Sequence, residues 1–402
     1  MSQRFHKTAV ASQHISGAGI RSMAIISNQA RSMINFRGPL IRAMAAQGVR
    51  VYALAPDFDA QSEQAIAKLG AKPVRYSLDR AGMRPFRDLL DMLRLARLLR
   101  RLKPDASFGY FIKPVIYGSL AAWLAGVPHR FAMVAGLGYV FIPPAGKERL
   151  NRRLLRGIVS GLYRIAFGRC ERVFFQNDDD LGHFVSRGHL AEKKALNVHG
   201  TGVYLDQYAY APLPSGDTPP IFLLVARLLQ EKGVYEFVDA ARLVKSRYPD
   251  ARFVLLGGLD DNPGSLTQDT VLSWVQEGVV EWPGAVADVR PWLTASSVFV
   301  LPSWREGLPR STTEALATGR AIVTTDVPGC RDTVEEGVNG FLVPVRDPEA
   351  LADAMIRFIE QPTLCVTMGR ESRHMAEERF DVHKINRHIL TAMGIATDRE
   401  GV

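Results

Sequence analysis

The chain has 402 residues, 47% of them hydrophobic, so it is long enough for two domains that each bury a core of their own. Its three cysteines are widely separated and form no CxxC pair, which argues against both a disulfide framework and a zinc site. The formal net charge of +9 favours an anionic partner, such as nucleic acid, anionic lipid or a phosphate-rich substrate.

The N-terminal segment, residues 1–22, lacks the apolar core of a signal peptide, and we expect it to form a disordered tail. Elsewhere no run reaches about 18 consecutive apolar residues, so we predict no membrane-spanning helix. The unpaired cysteines are typical of a reducing compartment, which favours a cytoplasmic location.

Predicted strands and helices alternate throughout residues 23–210. The strands are residues 23–27, 49–55, 72–76, 106–110, 130–134 and 172–176. The helices include residues 61–69, 117–125 and a segment from about 37 to 47. This alternation is typical of a parallel, doubly wound sheet.

A short stretch rich in proline and glycine then interrupts the pattern, and we interpret it as an interdomain linker. It contains Pro212, Pro214, Gly216, Pro219 and Pro220. The alternation resumes with strands at residues 221–226, 252–257, 298–301 and 321–324 and helices at 234–246 and 311–318.

We therefore predict an α/β protein with two Rossmann-like domains, over residues 23–210 and 211–375. Residues 376–402 are expected to form a C-terminal helix that packs back toward the N-terminal domain. Because ligands bind outside the carboxyl ends of the strands in such sheets, the site should lie in a cleft between the domains.

The most informative segment follows the strand that ends at Leu301. A loop carries Glu306 and Gly307, and a helix begins near Ser311. Glycine lets backbone approach a ligand closely, and the free N–H groups of a helix start attract phosphate. Glu314, eight residues after Glu306, can reach the same ligand from a second direction. Spacing alone would also fit two acids on a solvated surface.

A second cluster of charged residues follows the strand at residues 221–226. Arg227 comes at the strand end, and Lys232 and Gly233 precede the next helix. Taken alone, these cations could belong to a solvated loop. Both nevertheless lie where the fold places its ligands, at the carboxyl end of a strand.

Together the two clusters resemble the family 4 glycosyltransferases of the GT-B fold. The resemblance rests on an E-x7-E pattern at Glu306 and Glu314 and an R-x4-K-G pattern at Arg227, Lys232 and Gly233, and it extends over nearly the whole chain from residue 23. It implies a metal-independent, retaining glycosyltransferase whose donor is a UDP-sugar.

By this resemblance, Arg227 and Lys232 would hold the donor diphosphate, Glu306 the transferred sugar and Glu314 the ribose. The donor-binding loop and helix start would comprise Gly307, Leu308, Pro309, Ser311 and Thr312. The residue types suit the chemistry, because negative charge develops on the departing diphosphate and fixed cations and N–H groups stabilise it. We predict no metal ion and no cofactor besides the donor.

The acidic run at residues 178–180 offers a rival interpretation, because its D-x-D pattern resembles a manganese site. The run follows a strand and precedes a helix, where acidic side chains interact favourably with the helix dipole. We therefore interpret it as a helix start.

In this family the acceptor binds to the N-terminal domain, and three loops resemble those of bacterial enzymes that extend polyprenyl-diphosphate-linked sugars. Their candidate acceptor-side residues are Asn35, Arg37, Lys113, Tyr117, Gly136 and Gly138. Many family members have a histidine near the transferred sugar, whereas the matching loops here have none, so no general base is identified.

Two stretches, residues 84–103 and 147–172, interleave apolar side chains with arginine and lysine. Basic amphipathic helices are typical of membrane-surface elements, and each cation near anionic lipid contributes roughly 1 kcal/mol. The apolar residues could instead pack into the domain, with the cations solvated. Nucleic acid is disfavoured, because the basic face lacks the aromatic side chains that stack on bases.

We predict a peripheral enzyme on the inner face of the plasma membrane. It would transfer a hexose or N-acetylhexosamine from a UDP-sugar to an undecaprenyl-diphosphate-linked saccharide in surface polysaccharide, lipopolysaccharide or glycan assembly. The alternatives are a soluble transferase acting on a small acceptor, a nucleotide-sugar epimerase of the same fold, and a non-catalytic nucleotide-sensing protein.

Overall fold

The computed structural model describes residues 19–79, 84–137, 141, 150–213, 220–260, 262 and 264–395. The N-terminal domain contains, in chain order, β1 (Ser22–Ile26), α1 (Ala30–Ala46), β2 (Arg50–Ala55), α2 (Ala60–Lys68), β3 (Ala71–Arg75), α3 (Pro85–Leu102), β4 (Ala106–Tyr110), α4 (Ser119–Ala125), β5 (His129–Val134), α5 (Leu150–Gly168), β6 (Arg172–Phe175), α6 (Asp178–Ser186) and β7 (Ala195–Asn197). A π-helical turn, Pro114–Gly118, precedes α4.

The C-terminal domain contains β8 (Ile221–Val225), α7 (Val234–Arg247), β9 (Arg252–Leu256), α8 (Gln268–Gln276), β10 (Glu281–Gly284), α9 (Arg290–Ala295), β11 (Val298–Leu301), α10 (Arg310–Thr318), β12 (Ala321–Thr325), β13 (Gly340–Val343), α11 (Pro348–Glu360) and α12 (Thr363–Arg379). The final helix is α13 (Val382–Ala392). Short 3-10 turns lie at Glu192–Lys194, Gln230–Lys232 and Arg331–Thr333.

Each domain is built on a parallel sheet. The seven N-terminal strands have the order β3-β2-β1-β4-β5-β6-β7, and the six C-terminal strands the order β10-β9-β8-β11-β12-β13. Helices cover both faces, so the central strands are almost fully buried apolar runs, as in Val298–Leu301. The predicted fold class, two Rossmann-like domains, is confirmed.

The first helix begins earlier than predicted. We expected a start near residue 37, whereas α1 begins at Ala30, whose N–H donates to Oδ1 of Asp57 at 2.7 Å. Pro39 lies inside the helix. Proline is common in the first turn of helices, but here it lies well inside one. The predicted helix start was therefore wrong. Because proline has no N–H, the carbonyl of Asn35 receives no helical hydrogen bond from it.

The chain crosses between the domains at two adjacent segments. Val203 pairs with the segment after α12: its N–H donates to the Phe380 carbonyl at 2.8 Å, and the N–H of Val382 donates back at 3.1 Å. After this crossing, α13 packs its apolar face into the core of the N-terminal domain, with Ile385, Ile389, Leu390 and Met393 buried there. Part of the proline-rich stretch, residues 214–219, lies outside the described residues.

Candidate active site

Two loops of the C-terminal domain converge beyond the carboxyl ends of β8 and β11. The N–H of Trp304 donates to the carbonyl of Glu231 at 2.9 Å, which joins them. Gly233 has φ of +71°, and a Cβ there would lie 2.0 Å from the carbonyl oxygen of Pro302. Only glycine therefore allows the loop after β8 to lie this close to the loop after β11.

This convergence brings Lys232 and Glu306 together. Nζ of Lys232 lies 2.5 Å from Oε1 of Glu306, and the buried Ser303 hydroxyl donates to the same oxygen at 2.7 Å. The two charged side chains are only 19% and 12% exposed. The carboxylate and the ammonium group therefore fix each other's position in a largely desolvated loop.

Arg227 occupies the strand end as expected but has a partner that the sequence did not reveal. Its Nη1 donates to Oδ2 of Asp260 at 2.8 Å. Burial alone would raise the pKa of Asp260, but hydrogen bonds from Arg227 and Asn262 outweigh burial and hold it below its usual value. The guanidinium group remains about half exposed, so a ligand can still reach it.

Glu314 is nearly buried on the first turns of α10, with 7% of its surface exposed. Its Oε1 accepts hydrogen bonds from the Tyr208 hydroxyl at 2.9 Å and from Nε of Arg310 at 2.8 Å. Burial raises the pKa of Glu314, and the two donors oppose that rise. The spacing of charged residues could have suggested Arg310, four residues earlier, as a partner of Glu314. No feature of the sequence pointed to Tyr208.

Arg310 also reaches across to the N-terminal domain. Its Nη1 donates to the carbonyl of Asn35, the carbonyl that Pro39 leaves without a helical partner, and its guanidinium carbon lies 5.8 Å from the Phe36 ring centre. A predicted acceptor-side residue, Asn35, thus contacts the donor-side helix through its backbone.

Gly307 lies against the N-terminal domain. Nδ2 of Asn177 donates to the Gly307 carbonyl at 2.5 Å, and a Cβ added to Gly136 would lie 3.3 Å from the Gly307 nitrogen. A Cβ added to Gly200 would lie 2.3 Å from Cδ2 of Leu308. The cleft is therefore closed tightly around this loop.

The start of α10 has free donors. Pro309 occupies the N-cap position and makes no side-chain cap, so the first N–H groups of the helix, which include that of Ser311, have no helical acceptor. The Thr312 hydroxyl is fully buried and has no partner within the described residues. Such a helix start is suited to an anion.

The acceptor-side candidates of the N-terminal domain are dispersed over several elements. Lys113 precedes the π-helical turn and pairs with Asp88 at 2.7 Å, and Tyr117 lies within the turn. Arg37 is 2% exposed, donates to Sδ of Met133 at 2.6 Å, and has a pKa lowered by burial to about 10. A ligand could reach Arg37 only if neighbouring side chains moved.

Gly136 lies at the cleft, against Gly307, whereas Gly138 falls outside the described residues. The roles predicted for the acceptor-side residues stay predictions.

Two family models match the chain, one described as glycosyl transferases group 1 over residues 219–361 and one as a glycosyl transferase 4-like domain over residues 36–193. The N,N'-diacetylbacillosaminyl-diphospho-undecaprenol alpha-1,3-N-acetylgalactosaminyltransferase of Campylobacter jejuni is 30% identical over 87% of this chain and 92% of its own length. The chain belongs to the family 4 glycosyltransferases.

More distant relatives agree with this family. The UDP-Gal:alpha-D-GlcNAc-diphosphoundecaprenol alpha-1,3-galactosyltransferase of Escherichia coli is 25% identical over 74% of this chain and 77% of its own length. Among solved structures, Anabaena HepE in complex with UDP and glucose superposes with a TM-score of 0.71 at 17% identity, covering 92% of this chain and 98% of HepE. That likeness confirms the GT-B fold of this glycosyltransferase.

The acidic run of this glycosyltransferase lies in the first turn of α6. Asn177 caps the helix, and Asp180 is fully buried beside Arg305, while Asp179 pairs with Arg331 at 3.0 Å. Burial raises the pKa of Asp180, and Arg305 opposes that rise. Across the described residues, no group of three or more His, Cys, Asp or Glu is placed to hold a metal ion.

The same domain exposes two apolar helix faces. On α3, Phe86 is 86% and Leu90 54% exposed, and on α5, Leu150 is 78% and Leu154 64% exposed. These residues occupy the N-terminal halves of α3 and α5. In a parallel sheet, a helix that follows a strand begins on the side of the carboxyl ends of the strands, where the fold places its ligands. Exposed arginines accompany them at positions 84, 87, 94, 97, 153 and 164. None of the described helices is long and apolar enough to cross a bilayer.

Proposed function

We propose that this glycosyltransferase moves a hexose or N-acetylhexosamine from a UDP-sugar, with retention of anomeric configuration, to an undecaprenyl-diphosphate-linked saccharide. The observation that carries the proposal is the pairing of Lys232 with Glu306 beside the uncapped start of α10. In support, the Campylobacter and Escherichia relatives act on undecaprenyl-diphosphate-linked sugars, and the second takes its sugar from UDP-Gal.

In the proposed reaction, the bond between the anomeric carbon and the diphosphate oxygen breaks, and an acceptor hydroxyl bonds to the same face of that carbon. The hydroxyl proton leaves with the departing diphosphate. Lys232, Arg227 and the N–H groups of α10 supply the positive potential that stabilises the developing charge, so we propose that the reaction needs no metal ion. Glu306 holds Lys232 in place and contacts the transferred sugar.

The test is transfer from a panel of radiolabelled UDP-sugars to a synthetic undecaprenyl-diphosphate saccharide, with and without EDTA. One sugar should be transferred at the same rate in both conditions, and NMR of the product should show the donor's anomeric configuration. Lys232→Ala and Glu306→Gln should each lower kcat by about 100- to 1000-fold in folded protein. Turnover near the wild-type rate in both variants, or a strict requirement for metal, would refute the proposed site.

The same panel separates the alternatives. An epimerase would convert the UDP-sugar without an acceptor. A transferase for small acceptors would accept a free saccharide as readily as the lipid-linked one. A nucleotide-sensing protein would bind UDP-sugar without turnover.

We further propose that the faces of α3 and α5 dock on an anionic membrane surface, which brings a lipid-linked acceptor to the cleft. Both helices pack against the turn Pro114–Gly118, which contains Tyr117 and follows Lys113, so docked lipid would lie next to these acceptor-side candidates. Exposed apolar side chains would enter the interface while the arginines meet anionic headgroups.

Sedimentation with phosphatidylglycerol vesicles across a salt series tests the docking. The double variant Phe86→Ser/Leu90→Ser should lose about tenfold in vesicle affinity, and salt should weaken binding of the wild type. Leu243→Ser on α7, a leucine 41% exposed in the other domain, is the matched control and should bind as the wild type does. Equal binding by all three proteins would refute the docking face.

A further inference from the structure

The start of α6 holds a buried acid that the proposed reaction does not use. Asp180 is fully buried, and its backbone N–H donates to the Asn177 side chain at 2.7 Å, which fixes the first turn of the helix. Oδ1 accepts a hydrogen bond from Nη2 of Arg305, and Oδ2 has no partner within the described residues. Asp180 belongs to the N-terminal domain, whereas Arg305 belongs to the loop between β11 and α10, residues 302–309, here called the donor loop.

Residues on both sides of Glu306 are thus held by the same helix start. Arg305 is bound by Asp180, and the carbonyl of Gly307 accepts a hydrogen bond from Asn177 at 2.5 Å. Glu306, which makes the contact with Lys232, lies between them in the chain. Its orientation therefore depends on where α6 sits.

The loop has little freedom to adjust on its other side. The N–H of Glu306 donates to the carbonyl of Pro328 at 3.1 Å, and a Cβ added to Gly329 would lie 2.6 Å from the carbonyl oxygens of Glu306 and Gly307. Because Pro328 and Gly329 hold the backbone of the loop, a shift of the Arg305 side chain would rotate Glu306 rather than displace the whole loop.

We propose that Asp180 is a positioning residue of the acceptor domain that acts through Arg305 to set the orientation of Glu306. The sugar-facing end of the donor site would then be complete only when the two domains are together. The inference rests on the proposed function, and Asp180 itself touches no reacting atom. A buried carboxylate is costly without its cation, so Asp180 also favours the arrangement in which Arg305 is present.

Four full-length variants test the proposal: Asp180→Asn, Arg305→Gln, the double variant, and Asp178→Asn as the matched control. Asp178 lies in the same turn, is exposed, and contacts Asn197 of its own domain at 2.9 Å. Asp180→Asn and Arg305→Gln should each lower kcat by about 10- to 100-fold, because small misplacements of a catalytic group have effects of that size. KM for the donor should stay within about threefold of wild type.

The double variant should be no slower than the slower single variant, because both changes break one connection. A merely structural role would instead give additive losses, a raised KM and a lowered Tm. Wild-type kcat in Asp180→Asn, or additive losses in the double variant, would overturn the proposal. If Asp180→Asn does not fold, Arg305→Gln in the loop provides the same comparison.

A measurement without turnover keeps this inference separate from the proposed function. The radius of gyration from small-angle X-ray scattering, with saturating UDP, should be larger for Asp180→Asn than for the wild type and Asp178→Asn. Equal radii would overturn the proposal. Absence of turnover by the wild type with every UDP-sugar would count against the proposed function alone, and the radii would then decide on Asp180.

Discussion

An alanine at position 307 would test whether closure of the two domains limits catalysis. Its Cβ would lie 2.6 Å from Oε1 of Gln176 and 2.9 Å from the carbonyl carbon and oxygen of Ala135. Non-bonded carbon atoms prefer about 3.5–4.0 Å, so the loop and the N-terminal domain would have to separate by roughly 0.5–1 Å. The φ of Gly307 is not in the left-handed region, so backbone strain does not contribute.

The size of the effect follows from the contacts that this separation disturbs. Overpacking costs about 1–3 kcal/mol, and loss of the 2.5 Å hydrogen bond from Asn177 to the Gly307 carbonyl adds about 1 kcal/mol. A total of about 2–4 kcal/mol corresponds to a fall in kcat/KM of roughly 30- to 1000-fold. The three atoms nearest to the added Cβ all belong to the N-terminal domain, so affinity for UDP should stay within about threefold.

The assay combines kcat/KM for transfer with UDP affinity by calorimetry and Tm. Gly182→Ala is the control, because that glycine lies inside α6 and an added Cβ would meet no atom within 4 Å beyond its chain neighbours and the backbone of its own helix. Alanine is also the better helix former. Gly182→Ala should keep its kcat/KM, with Tm unchanged or raised. A Gly307→Ala enzyme as active as the wild type, or one that loses UDP affinity in step with kcat/KM, would refute the reasoning.

Two further substitutions should separate stability from activity. Pro39→Ala restores a helical donor to the Asn35 carbonyl, so Tm should rise. The new N–H would compete with Arg310 for that carbonyl, so kcat should fall about 2- to 10-fold. A rise in both Tm and kcat would contradict this account. Burial, helped by nearby acids, raises the pKa of Asp332 from 3.8 to about 6. Ionisation of this carboxyl therefore destabilises the fold as pH rises from about 4 to 6. Asp332→Asn should raise the free energy of unfolding at pH 7.5 by at most about 3 kcal/mol relative to wild type, and by less at pH 4.5. Denaturant unfolding of both proteins at the two pH values measures this difference.

The fold and the placement of the loops after β8 and β11 could be predicted from the sequence because their signals are local. A buried strand, a glycine-containing loop and a helix start lie within eighteen residues at positions 298–315, and the ligand-binding edge of a parallel sheet is set by topology. Three short strands, β7, β10 and β13, escaped prediction because they span only three or four residues at the sheet edges. Such segments carry too little periodicity to be recognised.

Most partners of the charged residues could not be predicted, because they come from distant parts of the chain, whereas Arg310 lies only four residues before Glu314. Tyr208 reaches Glu314 across 106 positions, and Arg305 reaches Asp180 across 125. The acidic run was correctly placed at a helix start, yet capping explains only its location. Contact with the donor loop depends on how the two domains meet, which no local pattern encodes.

Charge pairing links the proposed donor chemistry to this interdomain contact. Lys232, Arg310 and Arg227 are each held by a carboxylate, so each cation has a fixed orientation. Fixed cations stabilise a leaving group without the cost of reorganising at the moment of reaction. Under the proposed function, the carboxylates would also offset part of the positive potential that the diphosphate meets, both before and during its departure. Because Arg310 also binds the Asn35 carbonyl, its orientation depends on contact between the two domains.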